Sequence, residues 1–293
     1  MTPRDMLLAA LVSLIWGSAF VFIQFGLQDF SAPQLTVLRF AIAALPALFL
    51  PRPRIGWSLL IATGLTLFTG QFLLLFFAYR AGLAPGLASI AVQMHVFFTV
   101  ALAALLLRER PNPAQSLGMI VAFVGLLLIG LTVGGDLPLL ALILVLSGAL
   151  SWAIGNLLLK RIGPTPVLPL MAWLSLVPPL PALVLSLLLG DQPPLWTAVA
   201  QASALGLIGA LYIGLVATTF GYGLWSYLLA RYPTATVAPF ALLSPVTGVL
   251  ASAIVFGERF PPLRYAGMAL ILVGLAVVLL PSRFLRQGFL RRG

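Results

Sequence analysis

Cysteine is absent from the 293-residue chain, histidine occurs once and acidic residues number six. Without a thiol there is no disulfide, no thiolate nucleophile and no cysteine-ligated metal. The acidic residues (Asp5, Asp29, Glu109, Asp136, Asp191, Glu258) lie between or just beyond the long apolar runs. One histidine and no carboxylate inside those runs leave no metal cluster, no acid–base pair and no Ser-His-Asp set. No G-x-S-x-G context surrounds a serine, and no Walker-A sequence occurs. The inventory therefore speaks against an enzyme, against direct use of ATP, and against a cofactor or metal.

What the chain has instead is apolar surface. Hydrophobic residues make up 61% and charged residues 8%, a balance that excludes an ordinary soluble domain. The net charge of +10 is carried by basic residues at the ends of apolar segments. That is the pattern of membrane topology, so lipid is the expected partner and nucleic acid is not. The first apolar run is too long for a signal-peptide core and no A-x-A site follows it closely, so it is expected to stay in the mature protein.

A helix needs about 20 apolar residues to cross the hydrocarbon core. By that measure the chain is predicted to be an all-α polytopic membrane protein with ten spans, at 6–27, 34–50, 57–80, 86–107, 114–133, 138–158, 167–189, 203–230, 234–256 and 263–281. Only the connection GDQPPLWTAVAQAS is long enough for a surface turn of its own. Trp57 and Trp196, beside span ends, read as interfacial anchors. With the N-terminus inside, the cytoplasmic segments hold twelve Lys and Arg (Arg4, Arg52, Arg54, Arg108, Arg110, Lys160, Arg161, Arg231, Arg283, Arg286, Arg291, Arg292). The outside segments hold three, Arg80, Arg259 and Arg264. Both termini are expected in the cytoplasm.

An internal repeat is visible at a shift of 149. ERPNPAQSLGMIVAFVGL (109–126) lies over ERFPPLRYAGMALILVGL (258–275), with eight of eighteen positions identical, among them Glu109/Glu258, Arg110/Arg259, Gly118/Gly267, Met119/Met268 and Gly125/Gly274. At a shift of 136 Trp16 lies over Trp152, and with a small loop difference Gly70-Gln71 falls over Gly221-Tyr222. A unit of five spans, 1–133, followed by a second, 134–293, with a basic tail, places the copies upside down relative to each other. That is a plan used by secondary transporters, with the ligand site between the halves. Pro46, Pro178, Pro179, Pro181, Pro239 and Pro245 interrupt spans and remove backbone donors, as packing kinks or as hinges. Glycines 118, 125, 267 and 274 permit close helix packing.

Polar groups in hydrocarbon need partners and are expected to face the bundle interior. Trp16, Phe20 and Gln24 form one stripe, Trp152 and Asn156 another, and Thr218, Tyr222 and Trp225 a third. Gln71 belongs to the same set. Aromatic walls with amides suit a small uncharged or zwitterionic solute, and the alternative is glue between helices. Gln93 and His95 subtend about 200° on a regular helix. Span 4 is therefore either surrounded on both sides or lines a pathway with only one of them. His95 is the sole mid-membrane group that titrates near neutral pH, a candidate for proton coupling or a neutral histidine bonded to a neighbour. Arg39, inside span 2, is placed to take a substrate carboxylate, to snorkel, or to cap carbonyls freed at a kink.

The ten-span, five-plus-five plan with GERFPP near the end resembles the drug/metabolite transporter superfamily, in its EamA-type branch. The runs WGSAFVFIQFGL, LRF, GLASIAVQMHVFFTVALAALLLRER, LSWAIGNLLLKR and VATTFGYGLWSYLLARYPTATVAPFALLSPVTG are similar to bacterial members that export O-acetylserine and cysteine. The resemblance implies a proton-driven or downhill exporter of small neutral amino acids or their metabolites in the bacterial inner membrane. A central cavity lined by both halves would alternate between the two sides. Trp16, Arg39, Gln93, Trp152, Asn156, Tyr222, Trp225 and Pro245 match the motif positions. Two departures stand out: Ala19 and Gln24 occupy positions where the family commonly has Asn and Lys, and His95 has no counterpart. Another small polar or drug-like solute, or a scaffold without transport, remains the alternative. The oligomeric state is open, with a monomer favoured.

Overall fold

The computed structural model describes residues 1–108, 111–134, 136–232, 237, 240–241 and 243–279. The Glu109-Arg110 half of the repeated motif, Pro239 and the basic tail lie outside the described residues. Within them the chain is helical and contains no strand. Seven apolar helices are long enough to cross a membrane: α1 Pro3–Asp29, α3 Trp57–Arg80, α4 Pro85–Leu106, α5 Pro113–Gly130, α6 Leu139–Ile162, α7 Val167–Leu188 and α8 Ala204–Leu229. Three more are apolar and shorter, α2 Ala32–Leu48, α9 Leu243–Phe256 and α10 Pro262–Val278. A short helix, Leu195–Gln201, fills the one long connection. Trp196 on that helix and Trp57 at the start of α3 are both exposed. Leu48, Leu188 and Ile254 are likewise exposed, as lipid-facing positions are in a multi-pass membrane protein.

Local signals set the helix ends. Ser31 with Gln34, and Asn112 with Gln115, each form a reciprocal capping box followed by proline in the first turn, which satisfies donors the helix start would otherwise leave bare. Prolines act where the sequence places them. Pro46 tightens the end of α2 into a 3₁₀ turn over Leu45–Leu48, and α7 breaks between Leu174 and Pro179.

Small residues set the packing. A Cβ at Gly118 would lie 2.6 Å from the Gly274 carbonyl oxygen, and one at Gly274 would lie 2.5 Å from that of Gly118. Gly125 and Gly267 are related in the same reciprocal way at 2.6 Å. Early residues of α5 therefore meet late residues of α10, so the two helices run antiparallel. Elsewhere α1 packs on α8 and α9, while α6 packs on α3 and α4. Both α3 and α8 carry a π-helical stretch, over Leu65–Gly70 and Tyr212–Phe220. In each a threonine hydroxyl donates five residues back, Thr69 to the Gly64 carbonyl (3.3 Å) and Thr218 to that of Ile213 (2.7 Å). Such bulges shift the register of a helix and recur at functional sites.

Arg264 locks the start of α10 to the end of α5. It is 1% exposed, pairs with Asp136 through both terminal nitrogens at 2.7 and 2.9 Å, and donates to the Thr132 hydroxyl and carbonyl. Hydrogen bonds from Arg264 hold the Asp136 carboxyl below the usual carboxylate range. A carboxyl so depressed adds stability above its unfolded-state value and loses it as pH falls through the folded value. The thermal midpoint is therefore expected to drop as pH is lowered from about 4. In Asp136→Asn the midpoint should be lower at neutral pH and respond less to acid. The increment is modest, because the Asp136 side chain is 62% exposed and partly screened.

Candidate functional site

Next to the ends of the two π-helical stretches, at Gln71 of α3 and at Ala217 and Tyr222 of α8, lies a central cavity of about 270 Å³. That volume falls just below the range of drug-sized pockets, about 300–1,000 Å³. Helix α1 supplies Trp16 and Phe20, one turn apart, with Ala19 and Ile23 beside them. The Trp16 indole donates to the Ala217 carbonyl at 2.9 Å. It can approach because position 221 is glycine: a Cβ there would stand 2.7 Å from the indole nitrogen. The Trp16 ring lies 5.5 Å from that of Tyr222 and 5.2 Å from that of Trp225.

Across the cavity, Gln71, Phe72 and Leu75 come from α3, just past its π-helical stretch, and Trp152 comes from α6. Helix α4 contributes Val92, Gln93 and His95. Gln93 and His95 both reach the wall because the helix is not regular there. The amides of Gln93, His95 and Val96 bond the carbonyls three residues back, at 3.0–3.1 Å. A 3₁₀ turn advances about 120° per residue, so the two side chains sit about 120° apart instead of about 160°. The His95 imidazole stacks on Trp152 at 4.2 Å and 15°.

Arg39 projects from α2 into the same cavity and is 7% exposed. Its Nη2 donates to the Thr218 hydroxyl at 3.3 Å, and the guanidinium carbon sits 3.7 Å above the Phe72 ring centroid. Three buried polar atoms have no partner among the described residues: Arg39 Nε, Gln71 Oε1 and His95 Nδ1. All three side chains line this cavity. Buried polar groups are ordinarily satisfied, and these three exceptions gather at one cavity.

Eight of the residues singled out in the sequence thus surround one space: Trp16, Phe20, Arg39, Gln71, Gln93, His95, Trp152 and Tyr222. Gln24, Asn156 and Trp225 stand apart from it. Gln24 is half-buried further along α1. Trp225 backs Trp16 from behind. The Asn156 amide donates to the Thr99 hydroxyl at 3.1 Å, in a second cavity of about 200 Å³ lined also by Gln115 and Lys160. Thr99 and Asn156 lie one turn beyond His95 and Trp152 on the same helices, so the stacked pair partitions the two cavities. Ser244 also lines the central cavity, and composition gives no hint of it. It sits 149 residues after His95, the offset of the repeat, and that register is the signal that could have found it.

Comparison with known proteins gives a single picture. A profile of the EamA-like transporter family matches residues 4–131 and 139–280. A "probable amino-acid metabolite efflux pump" of Salmonella typhimurium is 39% identical over 94% of this chain and 95% of its own length. A protein of the same description from Escherichia coli is 37% identical over the same shares. A "probable terminal-alkyne amino-acid exporter" of Streptantibioticus cattleyicolor is 27% identical, over 92% of this chain and 91% of its own length. A solved crystal structure covers 94% of this chain and 96% of that chain with a TM-score of 0.61 at 18% identity, a likeness of fold alone.

Proposed function

Given that the chain belongs to the EamA-like transporter family, we propose that it exports small neutral amino acids or their metabolites, of the cysteine and O-acetylserine kind, across the bacterial inner membrane by alternating access. The observation that carries this reading is the central cavity, in which a buried guanidinium with an unpartnered Nε faces aromatic walls and amides. A zwitterion of modest size matches it: the carboxylate meets Arg39, and the ammonium meets the carbonyl oxygen of Gln71 and the aromatic faces. Two relatives described as amino-acid metabolite efflux pumps support the same solute class.

The reading includes ten membrane crossings, with both termini cytoplasmic and two inverted halves at 1–133 and 134–293. The reciprocal glycine pairs of α5 and α10 support the inversion, because residue i of one half meets the equivalent of j in the other, and j meets the equivalent of i. The π-helical stretches at corresponding places in α3 and α8 support it as well. Transit past the His95–Trp152 partition would link the central cavity to the one lined by Asn156. His95 is the proposed proton-coupling group, and pH-dependent flux that persists unchanged in His95→Gln would remove that role.

Purified protein in liposomes tests the function. Efflux of labelled cysteine or O-acetylserine is expected, competed by other neutral amino acids. In Trp152→Ala, which loses one wall of the cavity and the stack, flux should fall about tenfold. A folded protein that moves neither solute, or whose flux is indifferent to amino acids, contradicts the reading.

A further inference from the structure

We propose that Arg39 is also the seat of a small monovalent inorganic anion, of the halide class, which neutralises the central cavity whenever no organic carboxylate is bound. Among the described residues two arginines are buried to a similar degree, Arg39 and Arg264, and their surroundings differ. Arg264 makes four hydrogen bonds, two of them to a carboxylate. Arg39 makes one long hydrogen bond to a hydroxyl and otherwise lies on the face of Phe72, with its Nε buried and unsatisfied.

The five described carboxylates are all committed elsewhere. Asp5 is held by Thr2 and Tyr232, Asp29 by Ser203, Asp136 by Arg264, Asp191 by Ser31 and Ser186, and Glu258 by the Gly86 amide at the start of α4. Arginine does not escape the cost of burial by losing its proton. An isolated charge in a low-dielectric interior is strongly disfavoured unless an opposite charge accompanies it. No described carboxylate supplies that charge, which leaves the role to an ion taken from solution.

The surroundings select its kind. Thr218, in the π-helical stretch of α8, accepts from Arg39, and its proton is spent on the Ile213 carbonyl. That leaves the guanidinium as the anchor, with the hydroxyls of Tyr222 and Ser244 elsewhere in the wall. One cation, a few donors and aromatic rings, whose edges are positive, suit a weakly hydrated monovalent ion. A multivalent oxyanion would ask for more positive charge than the described wall provides. Competition between this anion and a substrate carboxylate for Arg39 rests on the function proposed above, whereas the anion site itself does not.

The test uses the purified full chain. Its thermal midpoint is measured in chloride, bromide and gluconate at constant ionic strength, for wild type, Arg39→Gln and Arg39→Lys. Wild type is expected to be more stable in either halide than in gluconate, Arg39→Lys to keep that response, and Arg39→Gln to lose it. Because Arg39→Gln removes the charge that needs a partner, its midpoint in gluconate should equal or exceed that of wild type. If that variant does not fold, ³⁵Cl line broadening by wild type that saturating bromide removes supports the site, and broadening that bromide leaves unchanged contradicts it. Equal wild-type midpoints in halide and gluconate overturn it, as does an undiminished halide response in Arg39→Gln.

In a second arm, a neutral amino acid is titrated with and without chloride. Its apparent dissociation constant should rise about threefold or more with saturating chloride. No rise, with an Arg39-dependent halide response intact, leaves the anion site standing and removes Arg39 from carboxylate recognition. Amino-acid binding without any halide response removes the anion site alone.

Discussion

In Arg39→Gln, binding of neutral amino acids weakens by about thirtyfold or more, while binding of the corresponding amines that lack the carboxylate changes little. Removing one partner of a buried, hydrogen-bonded charge pair costs about 2–5 kcal/mol, and each 1.4 kcal/mol is about a factor of ten. About thirtyfold is the lower end of that range, and Arg39 meets the conditions for at least that much. It is 7% exposed, it lines the cavity, and no described carboxylate shares its charge. Arg39→Lys should rescue only in part, since an ammonium neither forms the planar fork nor lies as well over Phe72. Equilibrium binding of amino acid and amine to each variant checks this. Equal losses for both ligands would make Arg39 a packing residue that supports Phe72 and Thr218.

The second large effect is on stability. Gly125→Leu and Gly267→Leu are each expected to cost about 3 kcal/mol or more, the upper end of what overpacking does. In both directions the intruding Cβ meets backbone at 2.6 Å, and backbone cannot rotate away. Thermal midpoints in detergent should fall by several degrees. Gly130→Leu, on the same helix, should leave the midpoint near that of wild type, because a Cβ there would meet nothing within 4 Å. Equal behaviour of all three would mean that α5 and α10 are not held by close glycine contact.

Much of this was legible in the residues. Hydropathy alone marks the helices, because a lipid-facing helix must be apolar over its whole length. Proline positions announced the breaks in α2 and α7, since a missing donor cannot be disguised. The glycines that repeat at an offset of 149 announced that they pack, although not that they pack on each other. The site was legible as a set and less so by position. Stripes at i, i+4 put Trp16 with Phe20 and Trp152 with Asn156, yet only the first pair shares the cavity. Helical spacing gives a face and says nothing of depth, and one turn along α6 is enough to place Asn156 beyond the His95–Trp152 partition. Gln93 and His95 looked incompatible on a regular helix, and nothing in Val92–Val96 signals the 3₁₀ turn that reconciles them. The π-helical stretches are equally silent in sequence. The one in α8 holds Thr218, whose hydroxyl accepts from Arg39.

The absence of cysteine permits a direct test of the central claim, that one cavity built around Arg39 takes a carboxylate and opens to each side of the membrane in turn. Ala19→Cys places a lone thiol on the cavity wall. In oriented vesicles a membrane-impermeant thiol reagent is expected to label it from either face. A neutral amino acid, but not the matching amine, is expected to protect the thiol from both. Labelling confined to one face under every condition, or labelling that no amino acid slows, would contradict the claim.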